Sequence, residues 1–156
     1  MITSLFIFGA KYAIIAVPVV AGIYFLKQSK LQQKHMAIFA AITLPLAYVV
    51  AKIGGKIYNN PRPFVVGHFA PLITHVPDNG FPSDHVLLSA TIAAILYPYS
   101  KTVSVFVWIL TLYIAISRVY VGVHHATDVV GSAMIAIVVA FLVYTQLKKI
   151  VVSHTS

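Results

Sequence analysis

The sequence of 156 residues contains no cysteine, and only three of its residues are acidic. The absence of cysteine excludes a disulfide framework, a thiolate metal site and a cysteine nucleophile. Charged residues make up only 9% of the chain, whereas 60% of its residues are hydrophobic, and the mean hydropathy is +0.91. This balance is far from that of soluble proteins. The sequence therefore indicates an integral membrane protein.

The net charge of +8 would suggest a nucleic-acid partner in a soluble protein. Here the lysines form short clusters between apolar stretches, which is typical of cytoplasmic loops in membrane proteins. We therefore expect the bilayer, and no nucleic acid, as the partner of this chain. The three clusters assigned to the cytoplasm are Lys27, Lys30 and Lys34, then Lys101, and finally Lys148 and Lys149.

Five apolar stretches predict transmembrane helices across a hydrocarbon core of about 30 Å. The N-terminal stretch has no basic segment before it and no clear cleavage site, so we expect it to be retained as the first span. With the lysine clusters in the cytoplasm, segments 55–83 and 117–126 lie on the external side. We predict an all-α membrane bundle, a single domain over residues 1–156, with its active site at the external face. The spans lie at about residues 2–26, 36–54, 84–98, 102–119 and 126–147.

The first chemical cluster, GGKIYNNPRPF, follows the second predicted helix. Its cations are Lys56 and Arg62, and Pro61 and Pro63 hold Arg62 in an extended backbone. A rigid arginine suits bidentate binding of phosphate. Taken alone, the cluster is equally compatible with a basic pair that touches lipid headgroups.

The second cluster is NGFPSDHVLLSA. Pro82, Ser83 and Asp84 predict a helix start, whose free N–H groups and positive dipole end form an anion site. His85 lies in the first turn, and its ordinary pKa of about 6.5 suits proton transfer near neutral pH. The alternative is an interfacial histidine that is hydrogen-bonded to a headgroup.

The third cluster, SRVYVGVHHATDVVGS, begins where Ser117 and Arg118 end the fourth predicted helix. His124 and Asp128 are four residues apart, which is one turn if the fifth helix includes both. The carboxylate would then accept the Nδ1 proton and leave Nε2 as a nucleophile. A zinc site formed by His124, His125 and Asp128 is the rival interpretation, but the nearby arginines and lysine would repel a dication. We expect no metal here.

The remaining histidines and aromatic residues are interpreted as structural. We predict that His68 and His75, both in the proline-rich 55–83 segment, are surface residues rather than catalysts. The aromatic side chains are expected at the membrane interface or in helix packing. They are Tyr97, Tyr99, Trp108, Tyr113 and Tyr120.

Together these clusters resemble the three-part signature of the type 2 phosphatidic acid phosphatase superfamily, over about residues 52–132. The matching motifs are Arg62-Pro63, Pro82-Ser83-x-His85 and Ser117-Arg118-x5-His124-x3-Asp128. The resemblance implies that His124 attacks phosphorus, while His85 protonates the leaving oxygen and later activates water. It implies that Asp128 orients His124 and that no cofactor is needed. The groups implied to hold the phosphate oxygens are those of Arg62, Arg118, Ser83 and Lys56.

The sequence departs from the family pattern at two positions. The family usually has six residues between the lysine and the arginine of the first motif, whereas five separate Lys56 from Arg62. Lys52, one helical turn earlier, is a possible substitute. Asp84 stands where the family more often has glycine, and we expect it to pair with Lys56 or another loop group. The sequence FPSDH is similar to that of bacterial undecaprenyl-diphosphate phosphatases of the bacitracin-resistance type.

The resemblance implies an enzyme that removes phosphate from a lipid phosphate or diphosphate. The leading expectation is conversion of undecaprenyl diphosphate to the monophosphate at the outer face of a bacterial cytoplasmic membrane. Lipid A 1-phosphate and phosphatidylglycerol phosphate are alternative substrates. A different hypothesis is that the protein is not an enzyme but a lipid-phosphate binder or transporter. The spans offer few polar residues for a transport path.

Overall fold

The computed structural model describes residues 1–153, with side chains described as far as Lys148. Over this range the chain is helical and has no β-strand, which confirms the predicted fold class. The helices are α1 (Ile2–Lys11), α2 (Ala13–Leu26), α3 (Lys30–Ile57), α4 (Pro63–Val66), α5 (Asp84–Leu96), α6 (Lys101–Tyr120) and α7 (Ala126–Ser153).

Three of the helices, α3, α6 and α7, are long and apolar enough to cross a membrane. The first predicted span is instead broken into α1 and α2, which meet at an angle of 55° and together would form a fourth span. The third predicted span corresponds to α5, which has 13 residues and is therefore about 20 Å long. The protein is thus a multi-pass membrane protein in which two of the five predicted segments differ from a simple span.

The break in the first span falls at Tyr12, whose φ of −120° and ψ of −25° lie outside the helical region. Pro18 lies inside α2 and does not cause it. The break frees the carbonyl of Ala10 from the helical ladder, and this carbonyl accepts a hydrogen bond of 3.2 Å from Nη1 of Arg118. The break is therefore accompanied by a contact between α1 and α6, which the pattern of apolar residues in the sequence does not predict.

Helix α5 lies at the centre of the bundle and packs against α2, α3, α6 and α7. Because neighbours surround it, it is apolar on all sides rather than on one face. Small residues bring α6 close to it: Ser104 of α6 donates a hydrogen bond of 2.7 Å to the carbonyl of Ala93 in α5. A short helix buried in protein can thus end inside the bundle, with its N-terminus next to the polar clusters.

The segment between α3 and α5 is irregular apart from the single turn of α4, as its prolines predict. It folds back on itself around Asn79. The side-chain oxygen of Asn79 accepts hydrogen bonds from the backbone N–H groups of Asn60 and Phe81, at 2.9 and 3.0 Å, and its amide donates to the carbonyl of Gly55 at 2.8 Å. These three bonds fix the backbone on both sides of Arg62.

Candidate active site

Residues of the first and third motif clusters meet around one ring nitrogen, Nε2 of His124. Nη1 of Arg62 lies 3.2 Å from this atom and Nη2 of Arg118 lies 3.4 Å from it. All three residues are buried, with exposed fractions of 5% for Arg62, 4% for Arg118 and 2% for His124. Two guanidinium groups next to an imidazole nitrogen form a site for a tetrahedral oxyanion such as phosphate.

Arg62 is held in place through its other N–H groups. Nε donates to Oδ1 of Asp78 at 2.6 Å, and Nη1 donates to the carbonyl of Val123 at 2.7 Å. The backbone of Arg62 is extended, with φ −58° and ψ 151°, as the flanking prolines predict. The guanidinium is therefore preorganised before any ligand binds.

His124 and Asp128 are close, but not in the way the spacing suggested. Helix α7 begins at Ala126, so His124 precedes it and the two residues do not share a helical turn. Nδ1 of His124 nevertheless lies 3.4 Å from Oδ2 of Asp128. These two atoms are in close contact but are not aligned as a hydrogen bond. Nδ1 therefore has no hydrogen-bond partner among the described residues.

Asp128 is completely buried, and both of its carboxylate oxygens are held. Oδ1 accepts a hydrogen bond of 2.7 Å from Nδ2 of Asn60, and Oδ2 accepts one of 2.9 Å from the backbone N–H of His125. The loop approaches so closely that a Cβ atom added at Gly80 would lie 2.8 Å from Oδ2. A buried carboxylate with these donors stays ionised and can orient an imidazole beside it.

His124 lies in the loop between α6 and α7, and its pKa is lowered from its ordinary value of 6.5. The main cause is burial, which disfavours the charged imidazolium, and contact with the Asp128 carboxylate opposes it. The positive charges of Arg118 and Arg62 lower the pKa further. The imidazole is therefore neutral near pH 7, which is the form that a nucleophile needs.

The N-terminus of α5 adds donors to the same place. Ser83 is its N-cap residue, as predicted, and is completely buried. The backbone N–H of Ser83 donates to Oγ of Ser132 at 2.8 Å, and that hydroxyl donates to the carbonyl of Asp128 at 2.7 Å. The start of α5 is thereby joined to the start of α7.

Unpaired polar atoms mark the interior of this site. In the described part of the chain, four buried side-chain polar atoms have no hydrogen-bond partner, and three of them are Oγ of Ser83, Nε of Arg118 and Nδ1 of His124. Buried polar groups in proteins are almost always paired. Nδ1 of His124 faces the Asp128 carboxylate, whereas Oγ of Ser83 and Nε of Arg118 are available to a ligand at this position.

His85 lies in the first turn of α5 and is partly exposed. The titratable or charged groups that act on it are those of Arg118, His124, Asp84 and His75. The second motif therefore faces the third.

The two candidate lysines of α3 differ in their contacts. Nζ of Lys52 lies 3.4 Å from Oδ1 of Asp84, and both side chains are about half exposed. Lys56 is exposed and makes no polar contact with the site residues in the described structure. The expected pairing of Asp84 with Lys56 or a loop group is therefore wrong, because the residue one turn earlier on α3 faces the start of α5.

Sequence reasoning missed several residues of the site. Asp78, Asn60 and Ser132 hold Arg62, Asp128 and Ser83 in turn. His75, predicted to be a surface residue, is half-buried, and its ring centroid lies 6.3 Å from that of His124. Two signals were available: Asp78 is one of only three acidic residues, and Asn60 immediately precedes the Pro61-Arg62 motif.

The ring of His125 does not contact the arginines that surround the His124 ring. Its Nε2 lies 3.1 Å from the carbonyl of Pro61, on the loop after α3. Within residues 1–153, no three histidine, cysteine or acidic side chains come together in an arrangement that could hold a metal ion. The side chains of His124, His125 and Asp128 are thus not arranged as zinc ligands. That the protein needs no metal stays a prediction.

One cavity lies at the site and a second, apolar cavity lies beside it. One, of about 460 Å³, is lined in part by His124 and His125. The other, of about 490 Å³, has almost entirely apolar walls between α5, α6 and α7 and reaches Trp108. The cavities share Val119, Tyr120 and Ala126. The apolar cavity therefore lies directly beside the cavity at His124.

Comparison with known proteins gives the family. The PAP2 superfamily model matches residues 34–151. The undecaprenyl-diphosphatase BcrC of Bacillus subtilis (strain 168) is 31% identical over 144 residues, which cover 92% of this chain and 74% of the relative. The bacitracin transport permease protein BcrC of Bacillus licheniformis is 28% identical over 155 residues, which cover 99% of this chain and 76% of the relative.

A solved structure supports the same fold. The crystal structure of Aquifex aeolicus LpxE superimposes with a TM-score of 0.70 at 22% identity, over 92% of this chain and 82% of that one. The match to the family model spans α3, α5, α6 and most of α7, which carry or flank all three motif clusters. This chain belongs to the PAP2 superfamily of membrane phosphatases.

Proposed function

We propose that this protein removes a phosphate from a lipid diphosphate, with His124 as the nucleophile. The observation that carries the proposal is the convergence of Arg62 and Arg118 on Nε2 of His124. When a phosphate enters, the guanidinium N–H groups of both arginines donate to the phosphate oxygens instead of facing Nε2. There they stabilise the negative charge of the transition state. The N–H groups at the start of α5 and the hydroxyl of Ser83 add neutral donors.

The reaction proceeds in two displacements. Nε2 of His124 forms a bond to phosphorus as the bond to the leaving lipid oxygen breaks, and His85 gives that oxygen its proton. His85 then accepts a proton from water, whose oxygen attacks the phosphohistidine, and inorganic phosphate leaves as the P–N bond breaks. Asp128 stabilises the imidazolium character that develops on His124.

Undecaprenyl diphosphate is the substrate that the observations favour. The FPSDH variant of the second motif and the name of the B. subtilis relative at 31% identity both support it. The apolar cavity that reaches Trp108 lies beside the cavity at His124 and suits the hydrocarbon tail of a lipid substrate. Lipid A 1-phosphate and phosphatidylglycerol phosphate would use the same catalytic groups and are the alternatives.

A direct assay of the purified chain in detergent tests this proposal. Phosphate release is measured from undecaprenyl diphosphate, lipid A 1-phosphate and phosphatidylglycerol phosphate, with His124→Ala as the background. We expect the highest kcat/KM on undecaprenyl diphosphate. Release from none of the three lipids would refute the phosphatase, whereas a clear preference for another lipid would refute only the substrate.

The transporter alternative has less support, although one relative is named as a permease. Four buried hydroxyls within the helices donate to backbone carbonyls instead of lining a polar path. They belong to Ser89, Thr91, Ser104 and Thr111. The buried charged groups, those of Arg62, Arg118 and Asp128, gather at one end of the bundle, as expected for an enzyme that acts at a membrane surface.

We place this end at the external face of a bacterial cytoplasmic membrane, because the lysine clusters lie at the opposite ends of the helices. The chain has no native cysteine, so single cysteines report cleanly on topology. Ser29→Cys and Asn59→Cys are suitable because both positions are exposed. An impermeant thiol reagent should label position 59 from outside and position 29 only after lysis, and the reverse pattern would refute this orientation.

A further inference from the structure

His75 lies beside the nucleophile although no motif includes it. The centroids of its ring and the His124 ring are 6.3 Å apart, and the two planes meet at 72°. The neighbours Thr74 and Val76 are exposed, whereas His75 is half-buried and Ile73 is buried. The alternation turns Ile73 and His75 toward the protein and their neighbours away from it.

The position of His75 is fixed from both sides. Before it, Ile73 packs in an apolar cluster with Ala10, Val121 and Val123, and the N–H of Leu72 donates to the carbonyl of Val121 at 3.0 Å. After it, Asp78 accepts the hydrogen bond of 2.6 Å from Arg62. The loop that carries His75 is thus attached to the same residues that build the phosphate site.

The charges around His75 favour an anion next to it. Its pKa is lowered, first by burial and then by the positive charge of Arg62, with a further contribution from Arg118, while Asp78 and the Val76 carbonyl oppose the shift. Nδ1 of His75 lies 3.3 Å from that carbonyl, which leaves Nε2 as the ring nitrogen without a partner in the described structure. A bound phosphate would offset the charge of the two arginines and allow a second cationic donor at Nε2.

We infer that His75 binds the lipid headgroup through Nε2 and is a specificity residue that favours a diphosphate over a monophosphate. This inference rests on the proposed function. Arg62 and Arg118 already face the group that is transferred to His124, so the additional negative charge of a diphosphate needs a further donor. A protonated His75 supplies it, and the gain is larger for the headgroup of higher charge.

The test compares farnesyl diphosphate with farnesyl monophosphate, two substrates with the same tail. For wild type, His75→Asn and His75→Phe, the ratio of kcat/KM on the diphosphate to kcat/KM on the monophosphate is measured. We expect both variants to lower this ratio about tenfold or more, the usual effect of losing a charge-assisted hydrogen bond. His75→Phe keeps a ring against His124 but cannot donate, so it separates substrate binding from packing.

His68→Asn is the matched control, because His68 is an exposed histidine of the same loop, and its ratio should equal that of wild type. The ratio does not depend on the fraction of folded enzyme, so a variant that folds poorly still gives a valid result. An unchanged ratio in both His75 variants would overturn the inference, whether or not the separate rates fall. If wild type hydrolyses neither farnesyl substrate nor any of the three lipids of the direct assay, the proposed function is refuted instead.

Discussion

The side-chain amide of Asn60 donates a hydrogen bond of 2.7 Å to Oδ1 of Asp128, across 68 positions of sequence. This bond joins the loop after α3 to the carboxylate beside the nucleophile. Asn60→Ala leaves a buried charged acceptor without a donor, which costs about 1–3 kcal/mol of stability. It should also lower kcat, because Asp128 loses its fixed orientation.

The matched variant is Asn59→Ala, since Asn59 is the exposed neighbour on the same loop. Thermal unfolding in detergent and steady-state kinetics should show a clear loss for Asn60→Ala and near wild-type behaviour for Asn59→Ala. Equal effects in the two variants would mean that the bond to Asp128 does not matter.

His124→Ala should abolish turnover, whereas His125→Ala should keep much of it. Only His124 has its ring between the two arginines and Asp128, and His125 directs its ring to the carbonyl of Pro61. Losing the contact between His125 and the carbonyl of Pro61 costs about 0.5–1.5 kcal/mol of stability at most.

Activity is also expected to persist in excess EDTA, because arginine and helix N–H groups stabilise the charge. An essential His125, or activity lost on chelation and restored by zinc, would contradict the phosphohistidine mechanism.

The titration of His124 gives a prediction with a definite sign. Burial lowers its pKa below 6.5, so the imidazole stays neutral as the pH falls through 6.5 and becomes protonated only at more acidic pH. NMR of the free protein labelled with ¹⁵N-histidine measures this midpoint directly, with the resonance identified by its loss in His124→Gln. A midpoint at or above 6.5 would mean that contact with Asp128 outweighs burial and the two arginines. Free-enzyme NMR avoids the ionisation of the substrate phosphate, which has a pKa of about 6.

The two lysines at the end of α3 are expected to differ in their effect on activity. Lys52 contacts Asp84 at the start of α5, whereas Lys56 is directed to solvent. Lys52→Gln should therefore raise KM more than Lys56→Gln. Neither variant should change stability by more than about 1 kcal/mol, because the Lys52–Asp84 pair is exposed. A larger rise in KM for Lys56→Gln would return the phosphate-binding role to the residue that the sequence favoured.

The apolar cavity should matter only for long lipid tails. Ala133 lines this cavity, and Met134 is exposed one position further round α7 and outside the lining. Ala133→Trp should lower kcat/KM on undecaprenyl diphosphate and leave farnesyl diphosphate nearly unaffected, while Met134→Trp changes neither. The measurement is kcat/KM of both variants on undecaprenyl diphosphate and on farnesyl diphosphate. An equal loss on the two substrates would mean that the bulky side chain disturbs the catalytic groups instead.

Local chemistry explains which features could be predicted. The extended backbone of Arg62 follows from its flanking prolines, and the start of α5 follows from Ser83, because each depends on adjacent residues. The break at Tyr12 and the placement of His75 depend on contacts with α6 and with Arg62, distant in sequence. The partner of Asp84 was misassigned for the same reason: whether Lys52 or Lys56 faces α5 depends on how α3 is rotated in the bundle, and two lysines one turn apart do not determine it.

The contact between Arg118 and the carbonyl of Ala10 has a consequence for how this chain can vary. Every residue has a backbone carbonyl, so substitutions along α1 can preserve the acceptor so long as the helix packs as before. An inserted or deleted residue between positions 10 and 13 is different, because it changes where the two helices join and turns one against the other by about 100°. Phosphatases of this architecture should therefore accept substitutions on the exposed face of their first helix far more readily than changes in the length of its break.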